Sequence, residues 1–365
     1  MASKASIGPR APPVALGHGP LGLALGNSDA CVGRGAHTGA VPGTKDDGLA
    51  DIAEMQAGAV TNRQLRDGGM SAKDVKVRLR RGSLRATSAR GVYRVAGAER
   101  TWRQDLWVAV LAGPDGTVAS HVSAAALRGL ITPPSIPHVT VPRDGSGRFK
   151  GAVVHHATVN DADRRQYEGI ATTAMGRTLV DCAAVLTQRG LNELVDAAFG
   201  KGLCGYQATM QSWERAGHVR GGARLEAALA PYANGARPGS VGAAHVLRKI
   251  CDWRLPLPTC EYEIRDENGE WVATVDFAWP AWWFLLEYDG GAGHGPRRWR
   301  LDARRQAAIE GIGWRLERAD RFDARPSSTR LLHVLSPILT QPPPAGNVIP
   351  LSQEERRKAR RSSVQ

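Results

Sequence analysis

The chain has 365 residues, 42% hydrophobic and 23% charged, with 48 Lys and Arg against 35 Asp and Glu and a formal net charge of +13. No run of about 18 uncharged apolar residues is present, which excludes a membrane-spanning helix from the expectations; the longest runs, 106–113 and 277–286, are too short. Five scattered cysteines without a C-x-x-C pair exclude a disulfide framework or structural zinc site and point to a reducing, cytoplasmic setting. The positive excess favours a polyanionic partner, most simply nucleic acid, and no membrane.

Residues 1–50 carry ten Gly and five Pro without periodicity and read as a disordered extension. A formal G-x-G-x-x-G at Gly17–Gly22 follows no strand and contains Pro20, so it is set aside as a nucleotide site. From residue 51 the pattern changes. A short helix begins at Ile52, and Thr61 is placed to cap a second one that stops at Gly68-Gly69. Ser71 caps a helix over 72–81, with Val75 and Leu79 four apart on one face, and Gly82 ends it. Residues 83–87 and 91–95 read as two short strands. This order is that of a winged helix-turn-helix, expected over 51–97.

Between residues 71 and 106 ten Lys and Arg stand against three acids, over half of the whole excess. On such a motif the second helix enters the major groove and the wing touches the backbone. Lys73, Lys76, Arg80, Arg85 and Arg90 are therefore the expected DNA contacts, with Ser71 meeting a phosphate at the helix start. A solvated basic helix face is the plainer alternative.

Residues 98–235 read as a mixed α/β region. Helices are expected at 102–112, 119–129, 172–186 and 192–199, and strands at 138–141 and 151–155. His121, His155 and His156 are read as structural groups. Glycine-rich loops at 217–222 and 233–239 mark a hinge. The segment 240–340 then offers a helix at 241–250, hairpins turning at 266–269 and at Pro280-Ala281, an Arg-rich helix at 300–310, a strand at 314–318 and a helix at 330–339. A basic tail, 341–365, is expected to be disordered.

The strongest chemical signal lies in the second of those hairpins. A tight turn at Ala281-Trp282 makes paired residue numbers sum to 563, which sets Asp276 opposite Glu287, about 5 Å apart at Cβ. Glu287 and Asp289 share a strand face. Facing carboxylates repel unless a cation lies between them, and hard oxygen ligands suit Mg²⁺ or Mn²⁺. Asp276 and Glu287 are thus candidate metal ligands. Asp289 and His294 are candidate assistants in hydrolysis, and Arg297, Arg298, Arg300, Arg304 and Arg305 candidate phosphate contacts. The alternative is that strand-end acids face solvent or pair with an arginine.

Two family resemblances bear on these readings. Ala59-Val60-Thr61-Asn62-Arg63-Gln64-Leu65, Val77-Arg78-Leu79-Arg80-Arg81-Gly82-Ser83-Leu84 and Gly91-Val92-Tyr93-Arg94 resemble the N-terminal winged helix of AbiEi-type (type IV) antitoxins, and motifs at 120–130 and 177–181 resemble segments that follow it. The resemblance implies promoter binding, transcriptional repression and a cognate toxin. Asp276, Glu287, Asp289, His294 and Asp302-Ala303-Arg304-Arg305-Gln306 are similar to the Vsr-like branch of the PD-(D/E)xK endonucleases. That implies a restriction-endonuclease-like αβ core and metal-dependent DNA hydrolysis. Two departures stand out: the first helix, Ser240-Val241-Gly242-Ala243-Ala244-His245, has no Glu, and Asp289 occupies the place of the motif lysine. The overall expectation is an α/β multi-domain, DNA-binding protein. It is either an endonuclease or a regulator with an inert nuclease fold.

Overall fold

Capping chemistry places the helices expected after Thr61 and Ser71, whereas the helix expected from Ile52 starts at Lys45 and takes in residues 45–50, expected as part of the disordered extension. The computed structural model describes residues 45–145, 150–266, 268–290 and 296–344, with side chains from Gly48 onward and, in the last segment, from Asp302. The expected extension up to residue 44, His294, the side chains of Arg297, Arg298 and Arg300, and the tail from residue 345 lie outside the described residues. The chain opens with α1 (Lys45–Met55), β1 (Ala59–Thr61), α2 (Asn62–Asp67), α3 (Ala72–Arg81), β2 (Leu84–Ala86) and β3 (Val92–Val95). Thr61 Oγ1 accepts the Gln64 N–H at 3.1 Å while Gln64 Oε1 accepts the Thr61 N–H at 2.9 Å, a reciprocal cap on α2. Ser71 and Asp74 cap α3 in the same way. Gly82, at φ 76°, ends α3 in the left-handed conformation that glycine enters without steric cost. The three strands form an antiparallel sheet in the order β1-β3-β2. Strand β1 is an addition to the expected order. Val60 of β1 and Leu84 of β2 cluster with Leu65, Met70 and Val75, all buried.

The next region comprises α4 (Trp102–Ala112), β4 (Val118–Ala119), α5 (His121–Leu127), β5 (His138–Val141), β6 (Val153–His156), β7 (Arg164–Tyr167), β8 (Ile170–Thr173), α6 (Met175–Cys182), α7 (Gln188–Gly200), α8 (Tyr206–Ala216) and α9 (Gly222–Leu229). Its five-stranded sheet runs β6-β5-β4-β8-β7. Residues 170–173, in part expected as helix, are instead strand β8. Ile170, Thr172 and Thr173 are β-branched and buried; all three pair with β7, and Thr172 also pairs with Ala119 of β4. The sheet also gathers three histidines. His138 Nδ1 and His155 Nε2 lie 3.0 Å apart, and the His121 and His155 rings stack with centroids at 3.6 Å. Ser120 Oγ meets His121 Nδ1 at 2.9 Å. Burial, followed by the neighbouring imidazoles, pushes His155 down to about 4 and His121 well below its ordinary value; burial also lowers His138.

The last region contains α10 (Val241–Asp252), β9 (Thr259–Arg265), β10 (Trp271–Trp279), β11 (Phe284–Asp289), α11 (Pro296–Gly311), β12 (Arg315–Asp320) and α12 (Arg330–Leu339). The sheet order is β12-β11-β10-β9, antiparallel except for β11 and β12, which α11 joins as a parallel crossover. One apolar cluster runs from Leu179, Leu191 and Leu194 through Val246 and Leu247 to Phe277, Phe284 and Leu335. It therefore spans the glycine-rich loops read as a hinge, and α9 lies between them. A buried polar link reinforces the joint: Arg248 Nη2 and Nε bind Asp196 at 2.5–3.0 Å, and the Tyr232 hydroxyl donates to Asp196 at 2.6 Å. A methyl group at Gly200 would stand 2.6 Å from the Ser240 carbonyl oxygen, so glycine permits the close approach of α7 to the start of α10. Among the described residues no helix is long and apolar enough to cross a membrane.

Candidate functional site

The register at the acidic hairpin is the one its turn dictates. Phe277 pairs with Leu286, Ala278 with Leu285 and Trp279 with Phe284, so paired numbers sum to 563. A short 3-10 turn at Pro280–Trp282 and a left-handed Trp283, φ 52°, close the hairpin. The same register carries Asp276 opposite Glu287. The paired ladder ends one step earlier, and the N–H of Tyr288 donates to Asp276 Oδ2 at 2.7 Å. Burial raises the Asp276 pKa. The Glu287 charge pushes the same way, against the Tyr288 hydrogen bond and the Arg305 charge.

Arg305, on α11, occupies the position of a cation. Its Nη1 donates to Glu287 Oε1 at 2.5 Å and its Nη2 to the Thr274 carbonyl at 2.6 Å. The residue expected to contact phosphate is therefore engaged with a strand acid, which is the plainer alternative for that acid. Arg304, one residue earlier, is exposed. Asp289 lies on the Glu287 face of β11 and is in register with Asp320 across the parallel pair. On α10, Ala243 and Ala244 are buried, and a side chain at Gly242 would collide with the Tyr288 ring, so this stretch of α10 contributes no acid.

Sequence reasoning missed Glu261. Strand β9 pairs Tyr262 with Val275 and Cys260 with Phe277, which brackets Glu261 against Asp276. Glu261 adopts a left-handed φ of 51° and accepts a hydrogen bond from the Gly239 backbone. Burial raises its pKa, and the Asp276 charge adds to the effect. The alternation Cys260-Glu261-Tyr262 carried a faint signal, but only the pairing of β9 with β10 shows its partner. Among the described residues, no group of three or more His, Cys, Asp and Glu side chains is disposed to hold a metal ion. The candidate set is therefore the pair Asp276 and Glu287. Both are partly buried hard-oxygen donors of the kind a divalent ion takes, and Glu287 is engaged by Arg305.

The expected nucleic-acid face is also laid out. Lys73, Lys76 and Arg80 are exposed along one side of α3, while Val75 and Leu79 turn into the core. Arg85 on β2 and Arg90 in the β2–β3 turn are exposed. Arg94, opposite Arg85 in the ladder, is instead ion-paired with Asp105. The Ser71 hydroxyl is occupied by the α3 cap, bonded to Asp74 Oδ2 at 2.9 Å. Neither a family model nor a curated protein matches this chain.

Proposed function

We propose that the chain is a DNA-binding protein. In this reading residues 51–97 act as a winged helix of the AbiEi type, and 240–340 form a Vsr-like, restriction-endonuclease-like domain that hydrolyses DNA phosphodiesters with Mg²⁺ or Mn²⁺. The observation that carries the hydrolytic reading is the β10–β11 register, which brings Asp276 and Glu287 face to face beside an arginine-rich helix. Helix α3 seats the duplex through Lys73, Lys76 and Arg80, and Arg85 and Arg90 on the β2–β3 hairpin hold the adjacent backbone. Asp276 and Glu287 would hold the metal, which supplies Lewis-acid polarisation of the scissile phosphate and a more acidic water. Tyr288 orients Asp276 through its backbone N–H, Asp289 assists on the same strand face, and Arg304 meets the phosphate from α11.

A second reading is favoured by the Arg305–Glu287 ion pair together with the absence of an acid at Ala243 and Ala244. Under it the nuclease fold is inert, and the protein is a transcriptional regulator or antitoxin with a cognate toxin. One experiment separates the two. Plasmid is incubated with the protein and Mg²⁺ or Mn²⁺, beside Asp276→Ala and Glu287→Ala, while a gel shift follows binding. Cutting by the wild type that both variants lose, with binding retained, is the expected result. Binding without cutting under either metal refutes hydrolysis and leaves the regulator.

A further inference from the structure

A second basic feature lies away from α3. A pocket of about 480 Å³ opens among the end of α5, strand β7, the start of α6 and helix α8. Its charged lining is Arg128, Arg165, Arg215 and Asp163. Asp163 is fully buried and already matched. Arg215 binds it twice, at 2.6 and 3.0 Å, and the Ser212 hydroxyl donates to it at 2.8 Å. The other two arginines meet no carboxylate among the described residues. Arg128 donates to the Ala124 and Thr173 carbonyls and lies over the Tyr167 ring; Arg165 donates only to the carbonyls of Ala162 and Arg164. They are close enough for Arg165 to weaken the hold of Arg128 on its proton, in addition to the larger effect of burial. The pocket wall adds a helix start: Met175 and Gly176 line it, and Ala174, the N-cap of α6, has no side chain to satisfy the first-turn N–H groups. Two guanidinium groups without an acid, facing a concave wall that includes a positive helix end, are matched by an oxyanion.

The pocket also shares part of its wall with a larger one. Cys204, Ala208 and Gln211 line both it and a cavity of about 780 Å³ that adds Lys201 and Arg237 and reaches Gly239. The Gly239 backbone is the group bonded to Glu261 beside Asp276. Arg165, Arg128, Lys201 and Arg237 together mark out a track of cations along the two adjoining pockets.

We propose that the pocket between β7, α6 and α8 is a binding site for a phosphoryl oxyanion, held by Arg128 and Arg165, and that its occupant is the backbone of a nucleic-acid strand lying along this track. The oxyanion site stands on the pocket's own geometry. Only the strand's course toward Asp276 rests on the nuclease reading.

The test uses the full-length protein carrying Lys73→Gln, Lys76→Gln and Arg80→Gln, so that α3 does not dominate binding. The probes are a labelled oligothymidylate of about twelve nucleotides, followed by anisotropy, and inorganic phosphate, followed by calorimetry. Arg165→Gln is the principal variant, because its side chain is exposed and bonds only nearby carbonyls. Arg128→Gln is the second, with a melting curve to show that it folds, and Arg189→Gln, an exposed arginine on α7, is the control. The expected result is a loss of about tenfold in oligonucleotide affinity for Arg165→Gln, the scale of one charge-assisted hydrogen bond, and none for Arg189→Gln. Phosphate binding that depends on Arg165 without oligonucleotide binding would sustain the oxyanion site and overturn the strand as its occupant. Equal affinity of Arg165→Gln, Arg189→Gln and the parent for both probes would overturn the site itself. DNA cutting is not read, so loss of the nuclease reading and loss of this one remain distinct.

Discussion

The histidine cluster of the five-stranded sheet makes stability depend on mild acid. His121, His138 and His155 are folded as a stacked and hydrogen-bonded group, and His155 titrates near pH 4 because burial, and then the charges of His138 and His156, disfavour its protonated form. A base whose folded pKa lies below its unfolded value contributes stability that is full above the unfolded pKa. That contribution is lost as pH falls toward the folded value. The window for His155 is therefore from about pH 6.5 down to about 4. At about 1.4 kcal/mol per pKa unit, moving from about pH 7.5 to about pH 4.5 would cost nearly 3 kcal/mol for a fully buried ring, and solvent around this partly exposed one reduces that to about 2 kcal/mol. Asp181 works the other way. Burial, only partly offset by Arg177, raises it to about 6, so the folded chain takes up a proton between about pH 6 and 4 before the unfolded chain does. The wild-type curve alone therefore understates the histidine effect. The informative quantity is the difference between wild type and His155→Gln in urea-unfolding free energy at the two pH values, because Asp181 is common to both. The substitution removes the titration while keeping an amide near His138, and the variant should lose about 2 kcal/mol less on acidification than the wild type. Parallel curves for the two proteins would refute the reasoning.

Two further outcomes follow from the same geometry. Asp196→Asn removes the buried partner of Arg248 between α7 and α10 and should destabilise the protein by about 3 to 5 kcal/mol in denaturant unfolding; a loss under about 1 kcal/mol would mean that the pair does not tie these helices together. On the α3 face, Lys76→Gln with Arg80→Gln should reduce the slope of log affinity for duplex DNA against log salt by about 2, and an unchanged slope would remove these residues from the interface.

Legibility followed the range of the interactions. The Thr61 and Ser71 caps, the Gly82 stop and the 563 register each involve residues within about a dozen positions, and all stand where their residue types imply. The helix expected over 172–186 shows the limit: residues 175–182 are helical, but 172–173 belong to β8. Its apolar spacing suits a helix, but Ile170–Thr173 has β4 and β7 as neighbours, and two ladders outweigh a weak local preference. Within the candidate centre, Asp276 and Glu287 were legible because one hairpin joins them. Glu261 and the engagement of Arg305 were not, because the first needs the β9–β10 register and the second the crossover of α11 back onto the sheet.

The amino-acid order alone determined the cationic face of α3, the acidic hairpin and the helix ends, since capping, turn geometry and side-chain periodicity act over a few residues. Tertiary structure decided which charges neutralise one another. His138 joins His121 and His155, Arg215 takes Asp163 and leaves Arg128 and Arg165 without an acid among the described residues, and Arg305 takes Glu287. Electrostatic partners are set by separation in space and by burial. Both arise only when strand order and helix packing bring distant segments together.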